Sequence, residues 1–265
     1  MGSVALDVLD DLVAEYGELD AVLAALEDPA WDRDTPAIGF TVRHQVHHLA
    51  FSEELASLAA SDPDAFRLRL AVIMSDIDAA GLAPHDLHTK NPRALLSSWR
   101  DWRSVTVAAL RRHDPGDRIP WVMGEMSARS FTTARLMETW AHGQDVYDLL
   151  QVPRTHTDRI RSIAVLGIKT FGWTFANRGL QAPGPAPHVR LVAPSGAIWE
   201  WNETNGESRV EGSARAFCQV VTQGRNVADT SLVVTGEPAR RWMAIAQCFA
   251  GGPVDPPKPG ERAWR

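Results

Sequence analysis

The feature that most limits what this chain can fold into is a change of hydrophobic period near residue 181. Before it, apolar residues recur at three-and-four spacing, the signature of helices burying one face. After it, His188-Val-Arg-Leu-Val192 alternates with period two, a Pro194-Ser-Gly196 turn follows, and Ile198-Trp-Glu-Trp201 alternates again, which reads as a β-hairpin. Between the two regimes stands Gln181-Ala-Pro-Gly-Pro-Ala-Pro187, a short linker or structured crossing. The expected chain is therefore mainly α, with a helical domain over residues 1–180 and a small α+β domain over 181–265.

Within the helical part, a first helix over about residues 4–26 stops at Glu27-Asp-Pro29. Thr41 can cap a second, which carries Val42, Val46, Leu49 and Leu55 and ends before Asp62-Pro63. A shorter helical pattern covers 64–80. Asn91-Pro92 opens another helix with Leu95, Leu96, Trp99, Trp102, Val105 and Leu110 on its apolar stripe, and a further one runs over about 130–150 until Pro153. Trp99, Trp102 and Trp140 fall at core spacing, so packing is their expected role. Residues 157–180 also read as helical. Beyond the hairpin come a helix over about 213–222, a strand over 231–234, a last helix over 238–249, and an irregular tail from Gly251 whose end Trp264 is able to dock onto the domain.

With 45% hydrophobic residues, 265 residues are enough for one large or two ordinary domains. A net charge of −6 with interspersed signs offers no basic face for nucleic acid. No stretch approaches the roughly 18 consecutive apolar residues of a membrane span, and the first residues lack a secretory pattern, so the expected compartment is the cytoplasm. Cys218 and Cys248 each lie in an apolar pattern and are expected as buried free thiols. Lys90, Lys169 and Lys258 are the only lysines, a bias toward arginine that points to a GC-rich genome.

The chemistry concentrates in Glu138-Thr-Trp-Ala-His142, an acid and a histidine four apart on one helix face. With His48 from the second helix they make three possible metal ligands on two elements, leaving positions for water or substrate, the pattern of a catalytic rather than a structural site. On an exposed helix the same Glu-to-His spacing is only a weak contact of about 0.2–0.5 kcal/mol. His44 and His48 are also four apart and form a rival clamp, whereas His47 points about 100° from His48; periodicity does not choose between them. Asp145, three residues after His142, is placed to accept a hydrogen bond from a ligating imidazole.

Two segments carry a family resemblance. Phe40-Thr-Val-Arg-His-Gln-Val-His-His48-Leu-Ala50 resembles the second-helix signature of the DinB-like metal-binding superfamily, specifically the N-terminal domain of mycothiol-dependent maleylpyruvate isomerases. Arg135-Leu-Met-Glu138-Thr-Trp-Ala-His142-Gly-Gln-Asp145 resembles its other signature, an arginine followed by Glu-x-x-x-His and an acid. The resemblance implies a DinB-like four-helix bundle over about residues 5–180, followed by the small α+β domain, with His48, Glu138 and His142 as the metal ligands. It also places Arg225, in Gln223-Gly224-Arg225, where the family has a glycine-arginine pair reaching the active-site cleft, a role that covers both catalysis and cosubstrate binding.

The implied chemistry is thiol activation. A divalent ion, zinc as first choice for a mixed nitrogen and oxygen ligand set, lowers the pKa of a small-molecule thiol, mycothiol in the family, for addition to an electrophilic or unsaturated substrate. The outcome is either isomerisation or S-transfer, and Arg225 is suited to clamp a carboxylate. Two alternatives use the same fold: a metal-dependent hydrolase with metal-bound water as nucleophile, and a non-catalytic metal- or ligand-binding protein. Monomer and homodimer are both compatible with the sequence.

Overall fold

A computed structural model describes residues 7–75 and 91–262. The chain packs as two compact units, Met1–Leu150 and Gln151–Arg265. The division falls at 150/151 rather than at the proline-rich segment 181–187, because the helical residues expected to close the bundle pack inside the second unit.

The first unit contains α1 (Asp7–Ala24), α2 (Val42–Ser61), α3 (Pro63–Ser75), α4 (Pro92–Leu110) and α5 (Ala128–Leu150). Four of them close a ring, with α2 against α4 and α5, and α1 completing it against both. α3 leans on α2. The four-helix bundle expected from the sequence is therefore present. Leu9, Leu12, Tyr16, Leu19 and Leu23 of α1 point inward at three-and-four spacing and are buried. α4 starts where Asn91 accepts from the amides of Arg93 and Ala94 at 2.8 and 3.2 Å, with Pro92 opening the helix. Trp99 and Trp140 are buried as expected, but Trp102 is only half-buried and lines a shallow surface groove on α4 with Ala94, Ser98 and Val105. The helical pattern at 64–80 is realised through Ser75, and residues 76–80, like Trp264, lie outside the described residues.

Between α4 and α5 the chain forms an antiparallel hairpin, β1 (Arg118–Trp121) and β2 (Gly124–Ser127), which hydrophobic alternation does not reveal. Trp121 at its turn stacks on Phe66 of α3 at 5.8 Å and meets Phe131 of α5 edge-on at 5.2 Å. The hairpin thus ties α3 to the start of α5.

The second unit opens with α6 (Arg161–Lys169) and α7 (Phe171–Ala176). Then come β3 (His188–Val192), β4 (Ile198–Trp201), β5 (Arg209–Ser213), α8 (Ala214–Val221), β6 (Val233–Thr235) and α9 (Glu237–Met243). The sheet order is β4-β3-β5-β6, with β3 and β5 parallel and the other pairs antiparallel. The expected β3–β4 hairpin is present, while β5 was not foreseen because its Arg-Val-Glu-Gly-Ser run is short and polar. α6 packs on α8 so closely at Gly167 that an added Cβ would lie 2.8 Å from Val221 Cγ2. Trp242 of α9 meets Phe171 and Phe217 at 5.3 and 5.7 Å, forming the aromatic centre of this unit. α9 ends at Met243, short of the expected 249, because the Cys248 amide turns to the Val221 carbonyl and Gln223 captures the Ala246 carbonyl. Cys218 and Cys248 are buried free thiols, and burial pushes the Cys218 thiol well up.

Candidate metal centre

Local sequence sets the start of α2 with some precision. Thr41 and His44 form a reciprocal cap, in which the Thr41 hydroxyl accepts from the His44 amide and His44 Nδ1 accepts from the Thr41 amide at 3.2 Å. This engages His44 in starting the helix. Preceding it, Arg43 grips Asp32 through two bonds of 2.9 and 3.0 Å, folding the 32–41 loop back onto the helix.

α2 and α5 run antiparallel along their shared seam, as their contacts show: Gln45 meets His142 and Asp145, His48 meets Glu138 and His142, and Glu53 meets Arg135. Residues three or four apart on each helix face the seam together. His48, Glu138 and His142 consequently converge, with one potential ligand atom from each lying within 4.8 Å of the others. Glu138 Oε2 is 3.2 Å from His48 Nε2 and 3.4 Å from His142 Nε2, and the two imidazole rings lie 4.3 Å apart between centroids. Among the described residues this is the one group of three or more histidine, cysteine or acidic side chains that converges in this way. The i,i+4 clamp inferred on α5 thus meets His48. His44 serves the cap, and His47 is not part of the group.

Burial works against ionisation of Glu138, but contact with His142 and His48, together with the positive charges of His48 and Arg135, outweighs it and holds the carboxyl well below its usual range. Two imidazole nitrogens and one ionised carboxylate oxygen, aimed at a common point and partly open to solvent, are a donor set suited to a divalent ion. The Ser52 hydroxyl lies 3.4 Å from His48 Nε2, and the half-exposed Phe40 ring stands 6.5 Å from that of His142, giving the opening one polar and one apolar edge.

Asp145, placed by its spacing to accept from a ligating imidazole, has its Oδ2 accepting from Gln45 Nε2 at 2.9 Å, and Gln45 Oε1 touches His142 Nδ1. Gln45 and Ser52 were missed in the sequence. Their spacing from His48, one turn before and one turn after, was visible, but nothing distinguished them from ordinary polar positions on a helix. Arg225 belongs to the second unit, just beyond α8. It is 4% exposed, and its Nη1 donates to the Gly224 carbonyl at 2.7 Å. Gln223, at φ 58°, makes the turn that precedes it.

The family described as "Mycothiol maleylpyruvate isomerase N-terminal domain" matches residues 12–147, just over half of the 265-residue chain. The chain belongs to this family. Two Mycobacterium tuberculosis proteins are similar over nearly their whole length: "Uncharacterized protein MT0041" of strain CDC 1551 / Oshkosh and "Uncharacterized protein Rv0036c" of strain ATCC 25618 / H37Rv. Each is 41% identical over 244 residues, covering 92% of this chain and 95% of the relative. Among solved structures, a histidine-to-alanine mutant of the mycothiol-dependent maleylpyruvate isomerase aligns with a TM-score of 0.59 at 15% identity, covering 96% of this chain and 99% of that one. A second crystal structure of that isomerase aligns at 0.56 and 16%, covering 90% and 98%. At these identities the structural likeness is one of fold. This family member is mainly α with a small α+β part, and none of its described helices is long and apolar enough to cross a membrane.

Proposed function

We propose that this protein is a metal-dependent enzyme that uses mycothiol, acting as an isomerase or a thiol S-transferase on a small electrophilic or unsaturated substrate. The observation that carries the reading is the convergence of His48, Glu138 and His142 within 4.8 Å, inside the domain that defines the family. Family membership and the maleylpyruvate isomerase fold support the choice of thiol. His48, Glu138 and His142 would hold the ion, with zinc as first choice for two imidazoles and one carboxylate. When bound, a divalent ion lowers the pKa of a coordinating thiol so that thiolate is available at neutral pH.

The chain's own groups supply the rest. Glu138, kept ionised, balances one positive charge of the site, and His48 and His142 present Nε2 toward it. Phe40 offers an apolar wall beside His142, and Ser52 a hydroxyl beside His48. In the isomerase form of the reaction, the thiolate adds to a carbon–carbon double bond. The resulting single bond rotates, and expulsion of the same thiolate restores the double bond in the other geometry. In the transferase form, protonation after addition retains the carbon–sulfur bond. Arg225 is proposed as the group that clamps a substrate carboxylate, since a planar guanidinium binds one through two parallel bonds.

The test is metal content of the purified protein by mass spectrometry, with calorimetric titration of mycothiol into metal-loaded and metal-stripped samples. Metal-dependent mycothiol binding is expected. Bound metal with no thiol affinity would overturn the thiol reading in favour of a hydrolase or a sequestering protein.

A further inference from the structure

Behind the candidate metal centre lies a chain of hydrogen bonds whose direction is fixed at one end. The Thr35 hydroxyl donates its single hydrogen to the Phe40 carbonyl at 2.6 Å. Toward Gln45, at 3.1 Å, Thr35 Oγ1 is therefore only an acceptor. Asp145 Oδ2, 2.9 Å from the same end of the Gln45 side chain, is a carboxylate oxygen and also accepts. Two acceptors meet one end of a fully buried amide, so that end is the NH2 group and the other end is the carbonyl. That carbonyl oxygen faces His142 Nδ1, and an oxygen acceptor there requires Nδ1 to carry a hydrogen.

We infer that Gln45 is a positioning residue, held by Thr35 and Asp145, that keeps a hydrogen on His142 Nδ1 and so turns Nε2, the atom that would bind an ion, to the centre beside Glu138. The importance of this inference for metal binding rests on the reading of His142 as a ligand; the hydrogen on Nδ1 itself does not. A ligating histidine commonly gives its second ring hydrogen to a carboxylate or backbone carbonyl, and loss of such a partner costs about 10–100-fold in metal affinity. Here a side-chain amide fills that place and relays the orientation to Asp145. No other polar side chain of comparable size does both, because the role needs an acceptor at one end and two hydrogens at the other.

The experiment combines nitrogen NMR of the nine histidines with zinc titration of the full chain, the His142 signals being identified by their loss in a His142→Gln variant. In metal-stripped wild-type protein, His142 is expected to show a hydrogen-bearing, pyrrole-type shift at Nδ1. Gln45→Leu is expected to lose that shift and to bind zinc about 10–100-fold more weakly. Gln45→Glu keeps an acceptor toward His142 but sets a carboxylate against Asp145, and should also weaken zinc binding. Adding Asp145→Asn to it supplies the missing hydrogens and should restore much of the affinity, a rescue that a role in packing alone does not predict. If Gln45→Leu fails to fold, the Gln45→Glu and double variants carry the test. A pyridine-type shift at Nδ1 of His142 in the stripped wild type, or unchanged zinc affinity in Gln45→Leu and Gln45→Glu, would overturn the inference. A wild type that binds no zinc yet shows the Nδ1-protonated ring would sink the metal reading and leave the positioning role standing.

Discussion

The seam between α2 and α5 holds two polar clusters, and they are built on opposite terms. At one end, His48, Glu138 and His142 converge at an edge where their side chains remain 38%, 17% and 22% exposed. About one turn along, Glu53 and Arg135 form a sealed pair at 3.9 Å, with side chains 0% and 3% exposed. Burial pushes the Glu53 carboxyl up, with Arg135 pulling the other way, whereas contact with the imidazoles wins over burial at Glu138 and pulls it down. Arg135 also lays its guanidinium 5.0 Å over the Trp121 ring, tying the sealed pair to the β1–β2 hairpin. The open cluster gathers two imidazoles and a carboxylate at one partly exposed point, which suits binding. The sealed one balances a charge against a charge, which suits holding two helices in register.

The comparison breaks first on metal content. His48→Ala, Glu138→Ala and His142→Ala are each expected to abolish stoichiometric metal while the fold persists, and His47→Ala to retain it; mass spectrometry and circular dichroism on the same samples decide. Stoichiometric metal in the Glu138→Ala protein would refute the ligand assignment. The sealed pair should respond in stability instead. Arg135→Met leaves the Glu53 charge buried alone and is expected to cost about 3–5 kcal/mol in urea unfolding. Combining it with Glu53→Leu should recover most of that loss, because replacing both members of a buried ion pair by apolar groups is often close to neutral.

Acid titration gives a smaller and more specific contrast. Glu138 has a folded-state pKa below the usual 4.5, so its contribution is full above pH 4.5 and fades as the pH falls through the folded value. In metal-stripped protein, Glu138→Gln should flatten the loss of stability in that acid window, by at most about 1.4 kcal/mol per pH unit. An unchanged slope would mean that the imidazoles do not favour the carboxylate form. Smallest of all is the expected effect at the α2 cap. Thr41→Ala should cost about 0.5–2 kcal/mol of thermal or urea stability without reducing bound metal, since the Thr41–His44 pair starts the helix and does not furnish the site. Loss of metal in His44→Ala, with the fold intact, would revive the rival clamp of His44 and His48.

Much of the fold was legible because its elements announce themselves locally. Buried residues at three-and-four spacing in α1 and α4, the helix starts at Thr41 and Asn91, and the alternation in β3 and β4 are short-range patterns, and each appears where the residues put it. The β1–β2 hairpin and β5 were hidden because their residues carry little apolar alternation. The 157–180 segment was legible as helical, but α6 and α7 pack with α8 and α9, a choice made by long-range complementarity such as Gly167 against Val221.

At the centre itself the same line separates the two sources of information. By itself the sequence determined that Glu138 and His142 share a helix face, since that follows from 3.6 residues per turn. It left His44 and His48 as competing partners, and only the family resemblance favoured His48. The local cap engaged His44, whereas the tertiary structure turned His48 onto Glu138 and set Gln45 between His142 and Asp145, across 97 and 100 residues of chain. Helical periodicity fixes which side chains face a seam. Which of them meet across it depends on the offset between two antiparallel helices, and that offset is set by the packing of the whole bundle.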